Sequence, residues 1–448
     1  MSYIANTPGQ QREMLDVCGA DSIDSLFAAI PPALRPASFN LPESRSELET
    51  RNYFRRAAAR NAGQLTLFLG GGVYDHFIPA ALDAIAGRSE FYTAYTPYQP
   101  ELSQGTLQAI YEYQSAICRL TGMEVSNASL YDGGSALCEA CQMAVHATGR
   151  NRIVMDSGIN PVYRTMIRTY TANLSIGLEE VPVSHGQSNR PQLLDTINND
   201  TAAVILQNPN FFGVIDDHGD IVSACHARGI LVIQSVYPIA MSVLKTPGEC
   251  GVDIVTGEGQ SLGIPLSFGG PYLGFMATTR ALVRKMPGRL VGRTLDRDGR
   301  DAFVLTLQAR EQHIRRDKAT SNICTNQALC ALRAHLYMSL LGPAGLREVA
   351  DLCISKTRYA MSRLKQIPGV EVMESSPVFN EFTVRLPVDA AELVNKLIER
   401  GIAAGLPLGR FYHGMERYLL VAVTEKRSRY DIGMLAETMQ SVLQQECF

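Results

Sequence analysis

The 448-residue sequence is too long for one minimal domain, and its 46% hydrophobic and 19% charged residues suit a well-packed enzyme. A formal net charge of −3 leaves no basic footprint, which argues against nucleic acid or an anionic membrane as the main partner. No apolar run approaches the roughly 18 residues of a membrane span. The start, "MSYIANTPGQQREML", lacks the basic and apolar regions of a signal peptide, so a cytoplasmic chain with ten reduced cysteines is expected.

Residues 1–60, rich in proline and charge ("IPPALRPASFNLPESRSELETRNYF"), predict an arm of short helices that buries little surface alone and wraps the body or a partner. Residues 61–325 are expected to form a large α/β domain. Apolar, β-branched runs at 152–156, 178–183, 202–207, 229–236 and 252–257 recur with helix-compatible segments between most of them. That rhythm predicts βα units in a mostly parallel sheet covered on both faces. Ligands of such sheets sit beyond the carboxyl ends of strands. Two stretches fall there: "YDGGSALCEA" (131–140), where glycines and a serine open a helix, and "DIVTGEGQSLGIPLSFGGPYLGFMAT" (253–278). The second runs strand, polar turn, glycine-rich bend, strand. A cofactor held as a Schiff base would need a lysine in that turn, and none occurs between Lys245 and Lys285.

Cys138 and Cys141 form the one CxxC, on the predicted helix that follows Gly133. Zinc normally needs a second ligand pair, so both thiols read as small core residues. The histidines show no HxxxH or HExxH spacing, and no metal site is expected. Residues 326–448 predict a small C-terminal α+β domain with a linking helix. Two strands lie in "VEVMESSPVFNEFTVRLP", an amphipathic helix in "AAELVNKLIERGI", a strand in "RYLLVAVTE" and a helix in the last twenty residues.

Longer strings carry a resemblance. "FLGGGVYDHFIPAAL" (68–82), "FYTAYTPYQPELSQGTLQAIYEYQSAICRLTGMEVSNASLYDGGSA" (91–136), "GEGQSLGIPLSFGGPYLGFMAT" (257–278) and "REQHIRRDKATSNICTNQAL" (310–329) look like the glycine decarboxylase P-protein of the glycine cleavage system. They resemble its N-terminal half, which many bacteria make as a separate subunit 1. The resemblance implies a fold-type I pyridoxal-phosphate-transferase-like architecture: a large sheet of seven-stranded type, a small C-terminal domain and an N-terminal arm. It places the family's Schiff-base lysine in the other half, subunit 2. Laid onto this chain, the family's His-Lys pair falls on Gln260 and Ser261, and serine forms no imine.

The resemblance therefore implies pyridoxal phosphate on the partner subunit and none held covalently here. It also implies an α2β2 assembly and transfer of glycine's aminomethyl group, after decarboxylation, to the lipoyl arm of H-protein. This chain would complete the partner's site across the interface. Tyr95, Tyr98, Gln99 and Glu101 in "YTAYTPYQPE" are the candidates for orienting glycine and moving protons; the competing reading is a buried aromatic hinge. Thr320, Ser321 and Asn322 in "KATSN" are candidate donors to the neighbour's phosphate; the competing reading is capping of the next helix. "YDGGS" matches the phosphate-cup position but faces the lysine-free pocket, and a plain glycine turn is the preferred reading. The basic run 310–318 is expected to be a solvated face paired with Glu311 and Asp317 rather than a carrier-docking patch. Two alternatives from other classes stand beside this reading: an independent pyridoxal-phosphate lyase using another lysine, and a non-catalytic regulatory or structural homologue.

Overall fold

The computed structural model describes residues 5–36, 40–93, 95–323, 327–373 and 376–446, and the chain divides into two compact units, Met1–Gly63 and Gln64–Phe448. The first unit carries helices α1 (Pro8–Val17) and α2 (Glu47–Ala58). Thr7 with Gln10, and Ser46 with Glu49, close reciprocal capping boxes that satisfy the orphan N–H groups of each first turn. Neither helix buries a residue, as the polar composition requires.

The second unit is built on a seven-stranded sheet. Its main elements in chain order are α3 (Gln104–Thr121), β1 (Val125–Ser126), α4 (Gly133–Thr148), β2 (Arg152–Asp156), α5 (Pro161–Thr171), β3 (Gly177–Val181), β4 (Thr201–Asn208), α6 (Gly219–His226), β5 (Leu231–Val236), β6 (Ile254–Glu258) and β7 (Gly274–Thr278). The strand order is β1-β7-β6-β5-β4-β2-β3, parallel except for β7, which runs antiparallel to both neighbours. Alternate strand residues enter different cores. Val204, Leu206, Val255, Phe275 and Ala277 join one cluster, whereas Ala203, Ile205, Ile254 and Met276 join the other. Burial on both faces is why these strands read as unbroken apolar runs rather than alternating ones. Cys138 and Cys141 lie on α4 inside the second cluster, at 2% and 0% exposure.

Two elements escaped the sequence reading. Strands β8 (Leu290–Leu295) and β9 (Asp301–Thr306) form a separate antiparallel hairpin, and residues 66–67 pair in parallel with 402–403. Beyond the hairpin runs α7 (Ala328–Leu364), which leaves helical geometry at Gly342 ahead of Pro343. The C-terminal elements are β10 (Glu371–Val372), β11 (Glu381–Arg385), α8 (Ala390–Ile398), β12 (Leu406–Pro407), β13 (Tyr418–Ala422) and α9 (Arg429–Glu446). Their antiparallel sheet, ordered β10-β11-β13-β12, packs its own cluster with Leu393, Leu397, Leu435 and Met439.

The loop after β4 comes closest to the C-terminal sheet at Gly213. Gly213 has φ +86, and a Cβ there would stand 2.1 Å from the backbone oxygen of Glu381 on β11. Gly213→Ala combines a left-handed side chain with a clash against backbone, each worth about 1–3 kcal/mol. The expected outcome is a loss of about 3 kcal/mol or more, read as a lower urea midpoint; an unchanged midpoint would refute this packing.

Candidate functional site at the carboxyl end of the sheet

The parallel strands deliver Gln207 (β4), Ser235 and Val236 (β5) and Glu258 (β6) to one rim, as open α/β sheets do for their ligands. With Gly72, Tyr74, Asn160, Tyr163, Tyr237, Asn380 and Glu381 they line a chamber of about 30 Å³. A wider cleft of about 420 Å³ shares Gly72, Asn160, Tyr163 and Glu258, and adds Tyr131, Asp132 and Gln327. Asp132 caps α4: its Oδ1 accepts Ser135 N–H at 2.8 Å, and its Oδ2 accepts the Ser135 hydroxyl at 2.9 Å. The serine of "YDGGS" thus faces its own cap.

Two buried carboxyls dominate the site. Glu258 Oε2 accepts Gly133 N–H at 2.9 Å, and its Oε1 accepts Gln260 N–H and Leu273 N–H at 3.0 Å each. Glu381 Oε1 accepts Gly71 N–H at 2.6 Å, and its Oε2 accepts the Tyr74 hydroxyl at 2.8 Å. Burial pushes each up to about 7, against the hydrogen bonds that favour the charged form. Burial also pushes Tyr74, Tyr163 and Tyr237 well above the ordinary phenol range. Both folded carboxyls therefore hold protons that an unfolded glutamate, near 4.5, releases. Their contribution to stability is complete below that value and is lost as pH rises through about 7. The urea midpoint should fall between about pH 5 and pH 8.5, and fall less in Glu381→Gln; equal slopes in the two proteins would overturn the assignment.

Gln260 and Ser261 stand in the turn after β6. Gln260 Oε1 accepts Tyr74 N–H at 2.8 Å, while its amide nitrogen donates to Tyr74 O at 3.0 Å and Ile264 O at 2.7 Å. Ser261 is 2% exposed and its hydroxyl has no hydrogen-bond partner among the described residues. Among the described residues, no lysine lines the chamber or the cleft. Lys426 borders a neighbouring cavity, where it pairs with Asp75 at 2.6 Å. A Schiff-base cofactor does not fit a pocket whose turn offers a hydroxyl in place of an amine.

The candidate loop residues lie elsewhere. Tyr95 and Tyr98 are 73% and 51% exposed, and Gln99 and Glu101 are exposed too, so the loop is no buried hinge. Arg289 sits over the Tyr98 ring at 5.7 Å and the His313 ring meets it edge-on at 6.0 Å, which ties this loop to the 310–318 segment. Thr320 and Ser321 are half-buried and Asn322 is exposed. Capping fails as their explanation: α7 starts at Ala328 behind Gln327, without a side-chain cap, and Ser321 Oγ instead accepts Ile323 N–H at 3.0 Å. The ion pairs expected within the basic run also differ. Glu311 faces Arg289 at 4.0 Å and His313 at 3.8 Å, while Arg310 turns inward to the carbonyls of Met286, Gly288 and Leu307.

Sequence reasoning missed Glu258, Glu381 and a buried network of His76, Glu425, Tyr237 and Cys353. His76 Nδ1 bonds Glu425 Oε2 at 2.6 Å and its Nε2 bonds the Tyr237 hydroxyl, so both ring nitrogens already serve the network. The side-chain donor atoms of His76, Glu425 and Cys353 lie within 4.8 Å of one another. Histidine is single in "YDHF", and nothing in its spacing signals the network.

This sheet order, with its pocket at the strand ends and a glycine-opened helix above, defines the class of fold-type I pyridoxal-phosphate enzymes. A sphingosine-1-phosphate lyase from Burkholderia pseudomallei superposes with a TM-score of 0.66 at 14% identity, over 93% of this chain and 95% of that one, and shares the fold alone. The chain belongs to the glycine cleavage system P-protein family, whose model matches residues 1–439. A crystal structure of glycine decarboxylase (P-protein) in inhibitor-bound form aligns with a TM-score of 0.92 at 43% identity, over 99% of this chain and 100% of that one. Two proteins named probable glycine dehydrogenase (decarboxylating) subunit 1, from Geotalea uraniireducens and Maridesulfovibrio salexigens, are each 55% identical over 443 residues, covering 99% of this chain and 100% of theirs. The fold and family expected from the motifs hold.

Proposed function

We propose that this chain is the lysine-free subunit 1 of a two-subunit glycine decarboxylase, glycine dehydrogenase (aminomethyl-transferring). The observation that carries the lysine-free assignment is Ser261, buried in the turn after β6 with no lysine lining the pocket. The enzyme depends on pyridoxal phosphate, and in this reading the homologous partner subunit holds it. The pair decarboxylates glycine and passes the aminomethyl group to the lipoyl arm of H-protein. The exposed loop residues Tyr95, Tyr98, Gln99 and Glu101 orient the amino acid in the partner's site, and Thr320, Ser321 and Asn322 reach its cofactor. Exposure of two tyrosines at a proline-containing loop supports that role, because aromatic surface left in water is stabilised by a partner that covers it. The assembly in this reading is α2β2.

Borohydride reduction tests the assignment. The purified chain incubated with pyridoxal phosphate should give no stoichiometric adduct on any one lysine. A single stable adduct would promote the independent lyase instead. Ser261→Lys should remain inactive alone, since an anchor without the donors around it makes no productive site.

A further inference from the structure

A helix N-terminus with its glycine-rich start is a ready cradle for a phosphate, because its free N–H groups point outward and its dipole favours negative charge. α4 has such an N-terminus, at the carboxyl end of the sheet, where the fold class seats a phosphorylated cofactor. Here it is occupied from within. Glu258 Oε2 takes Gly133 N–H, and the same carboxyl gathers Gln260 N–H and Leu273 N–H from the loop that follows β6. Three backbone donors therefore converge on a side-chain group that is itself only 7% exposed.

The glycine of the cradle is needed for this arrangement. A Cβ at Gly133 would stand 2.7 Å from Tyr163 Oη and 3.0 Å from both Cβ and N of Glu258. The close approach that glycine permits is thus spent on the protein's own strand end. The chamber beside it still offers a ligand donor: Asn380 Nδ2, on a residue 2% exposed, has no hydrogen-bond partner among the described residues and lines the same space as Glu258. The hydroxyl of Ser261 is equally buried and unpartnered.

We infer that Glu258 is a built-in substitute for a phosphate: its carboxyl fills the anion cradle at the start of α4, closes the pocket to phosphate monoesters, and masks a latent phosphate site. The inference rests on the reading in which this chain carries no cofactor, and gives it a physical cause beyond the missing lysine. A serine at position 261 prevents covalent attachment but would not stop a phosphorylated ligand from binding. Glu258 does, since a phosphate would have to displace a carboxyl held by three N–H groups.

Equilibrium dialysis of the full-length chain against pyridoxal phosphate, pyridoxal and inorganic phosphate tests this. The unaltered chain should bind pyridoxal phosphate no more tightly than pyridoxal. Glu258→Gly and Glu258→Ala, which free the N–H groups of Gly133, Gln260 and Leu273 while Asp132 keeps its cap on Ser135, should prefer pyridoxal phosphate by about tenfold or more, with inorganic phosphate competing; tenfold corresponds to 1.4 kcal/mol. A tenfold preference in the unaltered chain would overturn the inference, as would a folded variant that ignores the phosphate group. The unaltered chain decides even where a variant fails to fold. A borohydride adduct would instead defeat the cofactor-free reading, whereas no adduct together with phosphate-blind variants defeats only the role given to Glu258.

Discussion

Glycine–bicarbonate exchange should appear when this chain is mixed with its lysine-bearing counterpart, and neither protein alone should sustain the full rate. Among the described residues no lysine lines the pocket, so in the proposed reading the cofactor that decarboxylates glycine belongs to the partner. The loop of this chain, by contrast, presents Tyr95, Tyr98, Gln99 and Glu101 to solvent. A half that exists to pair should bury an interface of the permanent class, above about 2,000 Å². Size-exclusion chromatography should therefore show a stable hetero-oligomer. A counterpart that runs at full rate alone with H-protein would leave this chain a structural or regulatory role.

Tyr95→Phe or Tyr98→Phe should slow the reconstituted pair by about tenfold or more, because one hydrogen bond of ~1.4 kcal/mol made in the transition state gives that factor. Pro97 between them limits the backbone, and Arg289 and His313 hold the Tyr98 ring in place, so loss of the hydroxyl should not let the ring wander. The signature is a lower kcat with unchanged assembly, unfolding midpoint and cofactor content on the partner. Full rate in both mutants, with loss in Thr320→Ala or Asn322→Ala, would move the role to the second segment. Silence in all four would mean that this chain lends the site shape alone.

What was legible in the sequence follows from how local each signal is. Arg152–Asp156 is legible as a strand to the residue, since apolar β-branched residues buried on both faces announce a parallel strand without help from elsewhere. The C-terminal helices were legible from one-sided apolar spacing. The hairpin of β8 and β9 was not: five of the six residues at its turn, "DRDGRD" (296–301), are acidic or basic, with one glycine among them, and a hairpin with so charged a tip looks like a loop. The loop at 92–101 stood out through composition alone. Glu258 and Glu381 did not, because their partners Gly133 and Gly71 lie 125 and 310 residues away, and a glutamate at a strand end has no local mark of burial. The helix-capping reading of "KATSN" failed for the opposite reason. Its residues suit a cap, but the helix begins farther along the chain.

Helix α7 settles how the second unit can flex. Its break at Gly342 lies inside the first core, since Tyr337 and Met338 before it and Leu346, Ala350 and Cys353 after it all pack there. From Cys353 to Ala360, where the helix passes into the C-terminal core, it runs as an unbroken rod. A lever clamped at both ends transmits torque and does not fold at its middle. Opening one core against the other would mean snapping intact helical hydrogen bonds, so the surface loops are the less costly place for the second unit to open.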